Sequence, residues 1–355
     1  MAVRSAMPTA DIGPASPSTA STRHSVSSKP WLARTRCAAR RASLFDNTAT
    51  RNDSQPAGPV DMITPFWTWV QGALSCVRIT RGATMIDVTA FSTIPVPERQ
   101  AKPRTRGISM MIDWGMGLAR QHDVVDSAGL YIDQAKIAAG IPRLMPREML
   151  VQKLRHYQSA GIATSPGGLF AELALKQGTY TALLEEAASV GFTGIEVSTN
   201  LLDLAPADKA AAIRAAKAMG FTVYGEVGRK EGVMSDDDVV ADFDLCLAAG
   251  SDAVFLEAFE LFRDGTPRTQ LIDRLGQHSA FERAVFELPV VVLPGVTRDY
   301  KHKITALMVR TFGTEVNLAN IEWDELYLTE CIRRGMAGDT SHPQGAYRLA
   351  GFSAA

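Results

Sequence analysis

The stretch GFTVYGEVGRKEG, residues 220–232, begins as a buried strand and ends as something else. Phe221, Thr222, Val223 and Tyr224 are aromatic or β-branched, the residue types that fit a covered, pleated surface. Glu226 follows, and behind it Gly228, Arg229 and Lys230. The stretches GIEVSTN (194–200) and AVFLEAFE (253–260) close in the same way, on Glu196 and Glu257. A carboxylate in an apolar interior costs free energy unless it is paired or solvated. Strands that repeatedly finish on one therefore call for a shared place where their C-terminal ends meet.

Outward from these three, the pattern is regular from about Gly107 onward. Short apolar runs occur at GISMMID (107–113), LYIDQAKIA (130–138), IATSPGG (162–168), GIEVS (194–198), TVYGEVG (222–228), AVFLEA (253–258), within AVFELPVVVLPG (284–295) and at EVNLAN (315–320). Helical patterns such as PREMLVQKLRHYQSAG and APADKAAAIRAAKAMG separate them, several closing on a glycine. SDDD and APAD read as capped, acid-rich helix starts. Eight strands alternating with helices are what an α/β fold of the TIM (β/α)8 barrel type requires. A doubly wound open sheet is the rival, but DWGMGLA lacks the GxGxxG spacing of a dinucleotide turn.

The bulk composition bounds the function. A chain of 355 residues, 46% hydrophobic, suffices for one large domain or two modest ones. Its formal net charge of −1 gives no global electrostatic case for nucleic acid or a membrane surface as partner. No run approaches the roughly 18 apolar residues of a membrane span. Cys37, Cys76, Cys246 and Cys331 are far apart and lack metal-ligand spacing, which suits reduced thiols and a cytoplasmic location. The histidines show no ligand spacing, and His156 reads as helix surface. GxSxG, HExxH and Walker motifs are missing.

Residues 1–105 are unlike the rest. The first sixty carry no glutamate and are rich in Ser, Thr, Ala, Pro and Arg without apolar period, so a disordered extension is expected. It reads as a targeting leader or as sequence upstream of a later start at Met62 or Met85, the second being preferred. The expected division is an extension at 1–105, a barrel at 106–340 and a C-terminal tail at 341–355.

In such a barrel the active site lies at the C-terminal ends of the strands. Glu196, Glu226 and Glu257 end strands four, five and six, Asp113 ends strand one, and Lys136 lies near the end of strand two. Asn317 and Asn320 lie on or just after strand eight. Strand seven falls in either half of its long run, and Glu287 ends it only if the first half is used. Crowded carboxylates take up protons or bind a cation, and oxygen ligands without a His or Cys cluster favour a hard ion, Mg²⁺. Asp113, Glu196, Glu226 and Glu257 are the candidate ligands. Lys136, Arg229 and Lys230 bind an anion or donate a proton. Gly167 and Gly168 of SPGG offer backbone amides at close approach. Together these suit a small, phosphorylated carboxylic acid, held by a chain expected to form a homo-oligomer. A buried structural ion pair is the alternative for any one of these residues taken singly.

Several motifs appear together and in order: RGISMMIDWGMGL, YIDQAK, PREMLVQKLRHYQSAGI, SPGGLFAELALKQG, GFTGIEVS, GEVGRK, EVNLANI and CIRRGMAGDT. From about Lys102 to Thr340 the chain resembles the phosphosulfolactate synthase family of coenzyme M biosynthesis, which includes plant heat-stress-associated proteins. The resemblance implies a TIM barrel and Mg²⁺-dependent addition of sulfite to phosphoenolpyruvate, with Lys230 or Lys136 as the acid. Ser198, Arg229, Asn317 and Asn320 then join Gly167 and Gly168 on the substrate. Departures accompany it. Trp114 stands where the family has a lysine, Phe259 where it has an arginine, and Thr199 and Asn200 where it has Asp-Gly. Arg298, Lys301 and Lys303 in a longer segment either replace the lost cations or form a solvated helix start. Three readings stay open: a phosphosulfolactate synthase, a diverged barrel enzyme acting on another small phosphorylated or carboxylated substrate, or a non-enzymatic stress-associated relative.

Overall fold

The computed structural model describes residues 90–229, 234–263, 266–339 and 348–349. Expectations for residues 1–89, for most of the 341–355 tail and for Lys230 lie outside the described residues. Eight strands form the central sheet: β1 (Ser109–Asp113), β2 (Gln134–Ile137), β3 (Ala163–Pro166), β4 (Gly194–Val197), β5 (Thr222–Val227), β6 (Ala253–Glu257), β7 (Ala284–Glu287) and β8 (Leu318–Glu322). Their order is β3-β2-β1-β8-β7-β6-β5-β4, and all hydrogen-bonded neighbours are parallel. Thr193 joins the two outermost strands. Its N–H donates to Thr164 O at 3.1 Å, and its hydroxyl accepts from Thr164 N at 2.8 Å and donates back to Thr164 O at 3.1 Å. The fold is a TIM (β/α)8 barrel.

The helices of eight or more residues between the strands are α1 (Leu118–Ala128), α2 (Arg147–Ser159), α3 (Gly168–Lys176), α4 (Tyr180–Val190), α5 (Pro206–Ala218), α6 (Asp236–Ala249), α7 (Thr269–Gly276) and α8 (Arg298–Phe312), with α9 (Leu326–Arg333) after β8. Ser235 caps α6 by accepting from Asp238 N at 3.1 Å, as the SDDD start predicts.

Strand alternation sorts the side chains into two cores. Val223 and Val227 of β5, Ile195 and Val197 of β4, and Val254 and Leu256 of β6 point outward into the layer shared with the helices. Met110, Phe255, Val285 and Ala319 fill the barrel interior, where Tyr224 stacks on Phe255 at 5.1 Å. This interior plug leaves the next inward position of each strand at the C-terminal mouth. That position is occupied by Lys136 on β2, Glu196 on β4, Glu226 on β5, Glu257 on β6 and Glu287 on β7.

One open point closes, one strand shifts, and contacts appear ahead of residue 106. Strand seven is the first half of its run, so Glu287 ends it. Strand eight is Leu318–Glu322, not 315–320, which moves Asn317 ahead of the strand. The barrel also engages residues before the expected boundary at 106. Arg104 pairs with Asp133 at 2.9 Å and donates to Leu130 O at 2.9 Å, Lys102 Nζ donates to Ile132 O at 2.6 Å, and Arg99 pairs with Glu330. Burial lowers the Lys102 pKa to about 8 against the pull of Asp133. These contacts strap the chain across the N-terminal end of the barrel, beside the starts of β1 and β2.

Arg104→Ala removes the direct partner of Asp133, which keeps Lys102 nearby and the Ser109 N–H bond, and should cost about 1–3 kcal/mol. Thermal unfolding should show a fall in Tm of roughly 3–10 °C. An unchanged Tm would place the strap outside the cooperative unit.

Candidate active site

Lys136 stands at the centre of the mouth. Its Nζ lies 2.6 Å from Glu287 Oε1 and 3.0 Å from Glu196 Oε2. The first contact is the shorter and better aimed of the two. Burial by itself would push the Lys136 ammonium down, but Glu196, Glu287 and Glu226 outweigh it and hold its pKa above the ordinary lysine value. For Glu196 burial is the largest effect and raises its pKa, with Lys136 pulling the other way. Oxygens of Glu196, Glu226 and Glu287 lie within 4.8 Å of one another. Glu257 is paired in register with Glu287 and buried beside them. Three carboxylates thus act on one ammonium, with Glu257 on the neighbouring strand.

The surroundings fix these groups from outside. Gly168 N–H, at the start of α3, donates to Glu196 Oε1 at 2.6 Å, and a Cβ on Gly168 would sit 2.6 Å from that oxygen. Only glycine allows this approach. Gly228, at φ 136°, passes so close to Glu257 that a Cβ would lie 2.5 Å from the glutamate Cβ. Asn200 donates its Nδ2 to Glu226 Oε1. Lys209, buried on α5, donates to Glu226 O at 2.7 Å and to Asp242 at 2.7 Å. Glu172, buried on α3, accepts from Ser198 Oγ and from the N–H groups of Asn200, Leu201 and Leu202 at 2.8, 2.9 and 2.8 Å. It thereby sets the loop after β4.

The structure brings Lys136, Glu196 and Glu226 together at the mouth, joined by Glu287, and places Glu257 beside Glu287 in register. Asp113 is not among them. It faces the helix layer, where Oδ2 meets Lys153 Nζ at 2.7 Å and Tyr157 Oη at 2.8 Å while Oδ1 accepts from Gly115 N and Met116 N. Asn317 lies at the opposite end of the barrel, accepting from Ile108 N and donating to Glu282 O and Ala284 O, all at 2.9 Å. Asn320 lies in β8 at a bulge where β1 and β8 shift register, with φ 59°. Asparagine tolerates that left-handed backbone better than most residues. Its Oδ1 is buried with no donor among the described residues. Gly167 N–H serves the barrel, donating to Ile137 O at 2.9 Å. Arg229 is half-exposed, 3.8 Å from Asp203.

The substituted positions carry their own contacts. Trp114 Nε1 donates to Glu322 Oε2 at 3.1 Å, and Phe259 is exposed. Lys301 is buried between Glu322 at 3.4 Å and Glu325 at 3.3 Å, and Arg298 pairs with Asp324 and Glu325. Burial raises the Glu322 pKa against the Lys301 charge. The sequence reading missed Glu172, Lys209 and Glu322. Glu172 and Lys209 each interrupt the apolar face of a helix, a signal that was available.

Residues 97–339 match the family described as (2R)-phospho-3-sulfolactate synthase (ComA). The chain belongs to this family. It is 31% identical to the phosphosulfolactate synthase of Methanocaldococcus jannaschii over 246 residues, 66% of this chain and 94% of that protein. It is 30% identical to the phosphosulfolactate synthase of Methanothermobacter thermautotrophicus over 255 residues, 69% of this chain and 95% of that one. It is also similar to protein HEAT-STRESS-ASSOCIATED 32 of Arabidopsis thaliana, 22% identical over 266 residues, 66% of this chain and 88% of the relative. The expected family relationship, including its plant branch, is therefore present. The synthase family match begins at residue 97, ahead of the strap contacts at Arg99, Lys102 and Arg104.

The mouth predicts asymmetric mutational costs. Lys136→Met leaves buried carboxylates without their cation and should destabilise the fold by about 3–5 kcal/mol at pH 7. Glu287→Gln relieves like-charge crowding and should change stability by less than about 1 kcal/mol. At pH 5 the Lys136→Met penalty should shrink, because Glu196, with its raised pKa, takes up a proton early. Denaturant titrations at both pH values measure this, and equal costs for the two variants would refute the charge balance described.

Proposed function

We propose that the chain is a phosphosulfolactate synthase-type lyase that joins sulfite to phosphoenolpyruvate at the barrel mouth. The observation that carries this reading is the buried Lys136, paired with Glu287 and Glu196 inside a cluster of carboxylates, in a chain of this family. A cluster with this excess of negative charge repels an anionic substrate unless a cation joins it. Carboxylate oxygens within 4.8 Å of one another fit a hard divalent ion such as Mg²⁺, with Glu196 and Glu226 to hold it. When bound, that ion supplies positive charge for the substrate carboxylate as negative charge develops there.

In the reaction, sulfite sulfur forms a bond to C3 of the enol phosphate. The C2–C3 π pair moves toward the carboxylate, and C2 then accepts a proton. Glu196 and Glu287 keep Lys136 Nζ charged, the state a proton donor needs. Lys230, outside the described residues, is the other candidate acid. Gly168 and Asn200 keep Glu196 and Glu226 in place, and Arg229 at the rim is available to orient an anionic group.

A second reading follows from Trp114 and Phe259, an indole bonded to Glu322 and an exposed ring where the family carries cations. It is a diverged enzyme acting on another small phosphorylated or carboxylated acid.

Purified protein should consume phosphoenolpyruvate only with sulfite and Mg²⁺ together, followed by phosphorus NMR. Lys136→Arg keeps the charge but replaces the compact ammonium with a planar guanidinium of different reach and donor geometry, so turnover should fall roughly 10²–10⁴-fold if Lys136 is the acid. Inactive wild type with gain of activity in Trp114→Lys combined with Phe259→Arg would favour the diverged enzyme. If no small anion binds at all, the enzyme reading gives way to a non-enzymatic relative.

A further inference from the structure

Glu260 is 2% exposed and stands on the turn that leaves β6, just beyond Glu257. Its two oxygens divide between the two ends of the loop after β5. Oε1 accepts from Arg229 N–H at 3.0 Å, and Oε2 accepts from Met234 N–H at 3.1 Å. Arg268 completes this clasp. Its Nη1 donates to Glu260 O at 2.7 Å and to Glu260 Oε2 at 3.3 Å, and its Nη2 donates to Met234 O at 2.8 Å. Gly228 leads the chain from β5 into the clasp, so close that a Cβ would lie 2.5 Å from Glu257 Cβ and 3.3 Å from Glu260 Cγ. One buried carboxylate thus ties the Arg229 backbone to the strand end that bears Glu257. A buried ion pair is weak support for a stabilising role, because apolar residues often serve as well. An apolar side chain cannot, however, accept these N–H groups and fix where the loop begins and ends.

We propose that Glu260 is a positioning residue that holds Arg229 at the rim of the mouth for capture of an anionic substrate group. This rests on the reading of the mouth as a site for a small anionic acid. The Arg229 side chain is half-exposed, and the exposed Asp203 beside it is a loose partner at 3.8 Å. Its backbone anchor therefore sets what the guanidinium can reach. An arginine on a fixed backbone loses less conformational freedom when it binds an anion than one on a loose loop. Glu172 serves the loop after β4 in the same way, through the N–H groups of Asn200, Leu201 and Leu202. Two neighbouring loops of the mouth are thus each set by one buried glutamate that belongs to another element.

Two readouts on the full chain test the assignment. Hydrogen exchange resolved to the Arg229 and Met234 amides reads the clasp without any ligand. Glu260→Gln keeps the size of the side chain but turns one accepting oxygen into a donor. At least one of the two amides should then exchange roughly tenfold faster, while the β5 amides keep their protection. Unchanged exchange at both would overturn the clasp. Phosphoenolpyruvate binding with Mg²⁺ present, followed by calorimetry, reads the role. Arg229→Gln and Glu260→Gln should each weaken binding roughly three- to tenfold. The double variant should bind no more weakly than Arg229→Gln alone, because both changes act through one guanidinium. Losses that add would show that Glu260 acts by another route, and the proposal would fall. Full affinity in either single variant would also overturn it while leaving the anion site in place. If wild type binds no phosphoenolpyruvate, the reading of the mouth falls and this role falls with it. Should Glu260→Gln fail to fold, Arg268→Lys takes its place in both readouts, since it keeps a cation but lacks the fork that reaches Glu260 and Met234 together.

Discussion

The Lys136 ammonium is the interaction on which the mouth depends. Every strand of a closed barrel has one face inside and one against the helices, so the inward residues form layers. Here Tyr224, Phe255 and Val285 fill the lower layer, and Glu226, Glu257 and Glu287 stand directly above them. A slip of one residue in any of these strands would turn its glutamate into the helix layer and its valine or leucine into the mouth. Register and site are therefore one constraint. The carboxylate crowding is tolerable because one lysine on β2 reaches both Glu196 and Glu287 across the barrel.

The same alternation explains what could be read without coordinates. Glu196, Glu226 and Glu257 were legible because each terminates a short apolar run at an inward position. Glu287 was not, since a second apolar run, VVVLPG, follows it and periodicity cannot choose between two such runs. Asp113 was misplaced by its position at a strand end. It shares parity with Met111, which faces the helices, and so meets Lys153 and Tyr157. Asn317 was misplaced because strand eight starts after it, where its side chain ties β1 and β7 to the base of the barrel. Glu172 and Lys209 act from helices across long sequence separations, and no local pattern names their partners.

The two altered cation positions are better understood with Lys301 in view. The longer segment before α8 brings Lys301 and Arg298 to this side of the molecule, where they replace lost charge only in number. Lys301 is spent on Glu322 and Glu325, Arg298 on Asp324 and Glu325, and Trp114 bonds to Glu322 as well. Both cations are engaged by carboxylates of this second cluster, so neither pairs with the Lys136 mouth.

Rigidity gives the charge imbalance chemical consequence. Surface carboxylates escape mutual repulsion by rotating into water. At this mouth Gly168 N–H grips Glu196, Asn200 grips Glu226, and Glu172 holds the loop that carries Asn200. The carboxylates are buried, so rotation toward solvent is closed to them. Protons or a bound cation are the remaining routes to relief, and either would alter the charge that a substrate meets. The strand-borne groups set that demand through barrel register. The loop residues at 114, 199, 200 and 259 lie outside this register and can change without moving a strand. A barrel built this way keeps its charged centre while its loops alter what reaches it.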